Sequence, residues 1–171
     1  LNNIDSLIRH DPDIASQAVI KLSDMMRYML YESDKAFVTL AQEKKYLEDL
    51  FDLHRLRHKS PDTIHFNHSI INSEQKIRPL LLLPFVENAL KYASKKQGSP
   101  LVTCFLLDDT RQMNFICTNY FDSRTPINYA GGLGISNATK RLEAYYPGHY
   151  ILDIEKNADL YRVRLKLTYH D

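Results

Sequence analysis

The sequence lacks a charge excess of either sign. Its 22 Lys and Arg stand against 21 Asp and Glu, a formal net charge of +1 over 171 residues. No global field draws in nucleic acid, so direct DNA or RNA binding is not expected, and any bound anion has to be recognised by a local site. Cysteine is scarce as well. Only Cys104 and Cys117 occur, both inside apolar runs. They are expected to be two buried thiols of a reducing compartment rather than a disulfide or metal framework. Long hydrophobic runs are missing: the longest, residues 80–86, is far too short to span a bilayer, and no signal peptide is visible. A soluble piece is therefore expected. Because it opens at Leu1 in what reads as mid-helix, it is taken as a cut from a longer protein whose membrane segments could lie upstream. There is no internal repeat and no low-complexity tract. What remains is ordinary globular composition, 44% hydrophobic and 25% charged, enough for a real core. The length suits one compact unit, or a helical segment attached to one α/β domain.

Asp11 followed by Pro12 is a helix start, with the Asp as N-cap and the Pro at the first helical position. Ile14, Ala18, Leu22, Met25, Met26 and Met29 then recur at helical spacing to about Tyr31, as a core or helix-bundle face. Thr39 with Gln42 three residues on forms a capping box. Leu40, Leu47, Leu50, Phe51 and Leu53 carry the apolar face of the helix that follows, to about His58. Ser60, Pro61 and Asp62 break the pattern. Ile64, Phe66, His68 and Ile70 alternate as a strand with one buried face. Pro79 is expected to open a strongly apolar helix over 79–93. Strands at 101–107 and 113–118 form a hairpin through Asp108 and Asp109, and 120–130 is a loop. A helix at 135–146, stopped by Pro147 and Gly148, precedes two closing strands at 150–155 and 160–168. This order is not the strict alternation of a doubly wound sheet. An α+β fold with helices covering one face of a mixed sheet is the simpler layered solution.

Two constellations carry chemistry. In the first, Glu87, Asn88 and Lys91 share one helix face, since three and four residues make about one turn. Mg²⁺ prefers oxygen ligands and keeps several waters, so the Asn88 amide oxygen plus nucleotide phosphates could hold it, with Lys91 as a point cation on the phosphates. A solvated helix flank is the competing reading. In the second, Gly131-Gly132-Leu133-Gly134-Ile135-Ser136-Asn137 directly precedes a helix. Glycines let backbone approach a phosphate, and free N–H groups at a helix start stabilise the anion. Glycines also serve ordinary turns.

Together the two segments resemble a known family. Val86-Glu87-Asn88-Ala89-Leu90-Lys91 resembles the N-box of the Bergerat, or GHKL, ATP-binding fold, a two-layer α/β sandwich. The Gly-Gly-x-Gly-x-x-Asn segment followed by Arg141 and Leu142 resembles its second glycine box. Leu1-Asn2-Asn3-Ile4, the Leu22-Ser23-Asp24-Met25-Met26-Arg27-Tyr28-Met29-Leu30 run, and Val38-Thr39-Leu40 leading to Glu43 resemble the helical region of LytS/YehU-type sensor histidine kinases. So does Arg141-Leu142-Glu143 leading to Tyr145-Tyr146-Pro147-Gly148. The resemblance implies a helical dimerisation region over 1–60 and an ATP-binding catalytic domain over 61–171. It implies ATP and Mg²⁺ as cofactors, with Asn88 on the metal, Lys91 on the phosphates and Glu87 as a polar neighbour. Gly132 and Gly134 would form the hinge of the ATP lid, and Asn137 would stand at the helix that receives the phosphates. Where the family binds adenine through an acidic residue in an Asp-x-Gly-x-Gly pattern, this chain has Asn119-Tyr120-Phe121. Neither glycine is present, but Asn119 keeps a side-chain oxygen that can accept the same hydrogen bond. Tyr92 stands where the family often has His.

The family's phosphoacceptor His precedes the Leu-Asn-Asn-Ile segment and would lie upstream of Leu1. His10, His54, His58, His65, His68, His149 and His170 do not match its motif and are expected to be exposed or structurally bonded. The resemblance further implies a homodimer, the cytoplasmic part of a bacterial inner-membrane protein. Phosphoryl transfer would run from ATP to His and on to a response regulator, often of the LytTR DNA-binding type. Two other readings stand beside it. The missing glycines after Asn119 motivate a pseudokinase scaffold. A GHKL ATPase would need a Glu one turn before Asn88, where this chain has Pro84.

Overall fold

The computed structural model describes residues 2–56, 63–96, 98–122 and 133–169. Two helices open the chain, α1 (Asn2–His10) and α2 (Pro12–Tyr31). Between them the Asp11 carboxylate accepts the Ile14 N–H at 3.1 Å while Pro12 occupies the first helical position, so the expected start is where the helix begins. The buried side of α2 is Ala15, Ala18, Met25 and Tyr28. Ile14, Met26 and Met29, expected on one face with them, are 36%, 50% and 41% exposed. The apolar band of α2 is wider than the strip that its neighbours within the chain cover.

The short strand β1 (Val38–Thr39) leads into α3 (Leu40–Arg55). The capping box is complete: Thr39 Oγ1 accepts the Gln42 N–H at 3.2 Å, and Gln42 Oε1 accepts the Thr39 N–H at 2.8 Å. Leu40, Leu47 and Phe51 are fully buried, and Phe51 meets Phe66 of the sheet at 5.1 Å between ring centroids. Across the joint with α2, Lys21 pairs with Asp52 and lies 3.5 Å from Asp49.

The main sheet has five strands in the order β2-β4-β5-β7-β6, from β2 (Ile64–Ser69), β4 (Val102–Asp108), β5 (Gln112–Tyr120), β6 (Tyr150–Asn157) and β7 (Leu160–Thr168). β2 runs parallel to β4 and every other pairing is antiparallel, so the sheet is mixed as expected. Alternation points Val102, Cys104 and Leu106, then Met113, Phe115 and Cys117, then Val163, Leu165 and Leu167 to one buried face. Helices α4 (Leu83–Tyr92) and α5 (Leu133–Tyr145) pack there, with Phe85 and Phe115 at 6.5 Å between centroids. In the hairpin turn the Asp109 carboxylate accepts the N–H groups of Arg111 and Gln112 at 2.8 and 2.9 Å. Cys104 and Cys117 face each other across β4 and β5, both reduced and buried, with sulfurs 2.8 Å apart. Burial pushes the Cys104 pKa well up, which keeps it a thiol.

Three details depart from the sequence reading. The helix expected from Pro79 begins at Leu83, because residues 79–82 form a turn with Leu80 at φ +53°. Side chains remote in sequence satisfy the turn's backbone: Glu43 accepts the N–H groups of Leu80 and Leu82, and Arg141 donates to the carbonyls of Pro79 and Leu80. His68, expected inward on β2, instead lies at the surface, 2.9 Å from Glu48. A second, two-stranded sheet pairs β1 with β3 (Lys76–Ile77); strands of two residues leave no periodicity to read.

Candidate functional site

Helix α4 buries Leu83, Phe85, Val86 and Ala89 against the core. That face leaves Glu87 and Lys91 exposed and Asn88 half-buried on the flank. The Asn88 Nδ2 is shielded from solvent and has no hydrogen-bond partner among the described residues. Lys91 Nζ stands 5.0 Å from the centroid of the Tyr92 ring.

Strand β5 places the next residue. Asn119 continues the inward alternation of Met113, Phe115 and Cys117, so its amide is driven to the core side of the sheet end and is 1% exposed. Its Nδ2 donates to the Tyr120 carbonyl at 3.2 Å. Its Oδ1 is buried with no donor among the described residues. An unpaired buried acceptor costs about 1–3 kcal/mol, so a natural sequence keeps one chiefly where something else supplies the donor.

The elements carrying these residues are neighbours. The Ser94 N–H just past α4 donates to the Tyr120 carbonyl at the end of β5, at 2.8 Å. Helix α4 also packs against α5, which carries Gly134 at its second position and exposed Asn137 one turn in. A Cβ added at Gly134 would meet nothing within 4 Å, so packing within the described chain does not require a glycine there. Gly131, Gly132 and residues 123–130 of the expected lid lie outside the described residues.

Residues to which the sequence reading gave no role sit behind α4. Glu43 is fully buried on α3. It accepts from the Tyr28 hydroxyl at 2.8 Å, from the Leu80 N–H at 2.9 Å and from the Leu82 N–H at 3.1 Å. Burial raises its pKa, against the pull of those donors and of Arg141. One turn on, the Tyr46 pKa is pushed up to about 12, first by burial and then by the charges of Glu87 and Glu43. A usable signal was present. Glu43 is three residues after Leu40 and four before Leu47, in the apolar stripe of α3, where a carboxyl must find donors.

The fold defines a class. The structure aligns with Acinetobacter baumannii histidine kinase AdeS at a TM-score of 0.55 and 10% identity, over 98% of this chain and 84% of that one. It aligns with the catalytic domain of histidine kinase ThkA at a TM-score of 0.53 and 16% identity, over 78% and 98%. The fold is therefore the GHKL α+β sandwich of histidine kinase catalytic domains, preceded by helices. In sequence, residues 1–61 match the family model described as Histidine kinase. The sensor histidine kinase BtsS of Escherichia coli is 28% identical over 173 aligned residues, covering all of this chain and 31% of that protein. The sensor protein LytS of Streptococcus agalactiae is 35% identical over 98 residues, 57% of this chain and 16% of its own length. In sequence the chain is thus similar to sensor histidine kinases such as BtsS and LytS, and it spans about a third of the length of the curated relatives it matches across its whole extent.

Proposed function

We propose that this chain is the ATP-binding catalytic part of a two-component sensor histidine kinase. The observation that carries the reading is the buried, donorless Oδ1 of Asn119 at the end of β5, beside the helix that bears Asn88 and Lys91. An adenine amino group has the donor that this oxygen lacks, and the neutral amide accepts it without the charge of the family's acidic residue. Asn88 would hold Mg²⁺ through its amide oxygen. Lys91, exposed and next in turn, would screen phosphate charge, while Gly132, Gly134 and the free amides at the start of α5, near Asn137, would receive the phosphates. Among the described residues no group of three or more His, Cys, Asp or Glu could hold a metal, so a metal here would rest on one amide plus nucleotide and water oxygens.

When bound, Mg-ATP supplies the γ-phosphoryl group for in-line transfer to a nitrogen nucleophile. The protein's part is positional. Asn119 orients the base, Asn88 and Lys91 fix the phosphates, and the apolar wall of Phe85 and Val86 behind α4 keeps the helix rigid against the sheet. The acceptor would be a His of the full-length protein preceding Leu1, and the phosphoryl group would pass to a response regulator, of the LytTR type in the finer form of the proposal. Residues 1–60 would serve the dimeric helical region and 61–171 the catalytic domain, with α3 contributing to the core of the latter. The exposed Val19, Met26, Met29 and Leu30 of α2 suit a homodimer contact. Among the described residues no helix is long and apolar enough to cross a membrane. We place the chain on the cytoplasmic side of a bacterial inner membrane, anchored by segments outside it.

Calorimetric titration with Mg-ATP tests the reading. Binding should appear at submillimolar nucleotide and fall at least about tenfold in Asn88→Ala, about 1.4 kcal/mol, with the melting temperature unchanged. No heat at millimolar nucleotide would leave the scaffold reading in its place.

A further inference from the structure

The N-box helix is set in place from outside its own segment. Helix α4 begins at Leu83 with Leu82 as N-cap, and no side chain of its own segment caps it. The turn before it is held in a conformation that non-glycine residues rarely adopt, Leu80 at φ +53°. Such a conformation persists where the surroundings over-determine it. Here the surroundings are two side chains. Glu43 takes the N–H groups of Leu80 and Leu82 at 2.9 and 3.1 Å, and Arg141 of α5 donates to the carbonyls of Pro79 at 2.7 Å and Leu80 at 3.4 Å. The Glu43 carboxyl also lies where the partial positive end of α4 favours negative charge. The same carboxyl receives the Tyr28 hydroxyl of α2 at 2.8 Å, and the Tyr28 ring meets that of Tyr46 in a tilted contact with centroids 5.0 Å apart. One buried group thus touches the helical region, the strained turn and the start of the helix that carries Asn88.

We infer that Glu43 is a positioning residue: its buried carboxyl, bridging Tyr28 of α2 to the 79–82 turn, sets the placement of α4 and so of Asn88, and makes Tyr28 the point through which a movement of α2 reaches the nucleotide site. This rests on the nucleotide-binding reading above for its consequence, and on the hydrogen-bond geometry alone for its mechanics. Helix α4 is ten residues long and packed on its core face by Phe85 and Val86. A shift at Leu82 is therefore delivered to Asn88 as a rigid displacement rather than absorbed between them.

The test uses this chain with two main variants and Glu43→Asp as the conservative control. Tyr28→Phe removes one donor and leaves the carboxyl and both backbone bonds. Glu43→Gln puts an amide where three donors converge, so its NH2 end faces a donor. The readouts are the side-chain amide resonance of Asn88 by NMR without nucleotide, Mg-ATP affinity by calorimetry, and the melting temperature. The expected result is a shifted Asn88 amide in Tyr28→Phe, with Mg-ATP binding weakened roughly three- to tenfold, the scale of one hydrogen bond. A larger shift and a larger loss are expected in Glu43→Gln, and a partial return toward wild type in Glu43→Asp. A purely structural role would lower the melting temperature while leaving the Asn88 resonance in place, and that outcome in Tyr28→Phe overturns the inference. If wild type binds no nucleotide but the Asn88 amide still moves in Tyr28→Phe, the positioning inference stands and the nucleotide reading falls.

Discussion

The two ends of the molecule solve the same packing problem differently. The sheet domain closes its helix-covered face within one chain, where Phe85, Phe115, Leu106, Met113 and Leu167 are fully buried, and leaves Phe105, Leu107, Ile151 and Ile154 of β4 and β6 exposed. Helix α2 leaves Val19, Ile20, Met26 and Leu30 half or more exposed. Under the proposed function, a domain that holds a site rigid completes its own core, and the uncovered apolar band of α2 is the surface offered to a second copy.

The largest expected effect breaks or confirms that contrast directly. Phe85→Ala should cost about 3–5 kcal/mol in urea unfolding, the range for truncating a buried aromatic. Leu30→Ala on α2 should stay within about 0.5 kcal/mol at concentrations too low for self-association. Equal losses for the two would show that α2 is as internal as the sheet. The site itself gives the next effect. Asn119→Leu replaces an amide whose oxygen has no donor with an apolar side chain of similar size. Nucleotide affinity should drop at least about tenfold, while the ligand-free melting temperature holds or rises, by the equivalent of up to about 1–3 kcal/mol. A melt and a titration on one preparation decide it, and a large fall in melting temperature would mark Asn119 as structural. At the junction between the regions, Thr39→Ala removes one half of the capping box and should cost about 1 kcal/mol, read as an earlier unfolding midpoint.

The smallest effect concerns pH. Burial works to raise the Asp52 pKa, but the hydrogen bonds and charges of Lys21 and Arg55 outweigh it and hold the carboxyl below its usual range. A depressed carboxylate stabilises the fold above its unfolded pKa, and that contribution disappears as pH falls through the folded value. The joint between α2 and α3 should therefore weaken only below about pH 4. A series of melts descending through that range should show a shallower slope for Asp52→Asn; identical slopes would remove Asp52 from the joint.

Much was legible in the sequence because the informative features are local. Asp11 and Pro12, Thr39 with Gln42, and Pro147 with Gly148 mark helix ends through hydrogen bonds and backbone limits within a few residues. Each marks the end that the fold has. Apolar runs and alternation identified the strands around Cys104, Cys117 and Val163, and the apolar surroundings of the two cysteines placed both thiols inside. The reading from Pro79 failed for the opposite reason. Apolar composition permits a helix from that residue, and only Glu43 and Arg141, 36 residues before and 62 after Pro79 in the numbering of the chain, make a strained turn the better structure. The residues of the first constellation, Asn88 and Lys91, were legible from their spacing on one turn. That Asn119 is a buried acceptor without a donor was not.

Composition, caps and periodicity by themselves determined most of the helices and the five strands of the main sheet, because those choices depend on interactions between residues close in sequence; they did not give the two-residue strands β1 and β3 or the outward turn of His68 on β2. Tertiary structure alone decided which apolar face of α2 is covered, where α4 begins, and which polar atoms are sealed away without partners. Those outcomes depend on side chains brought together across the chain, where a buried carboxyl or guanidinium can outweigh local preference.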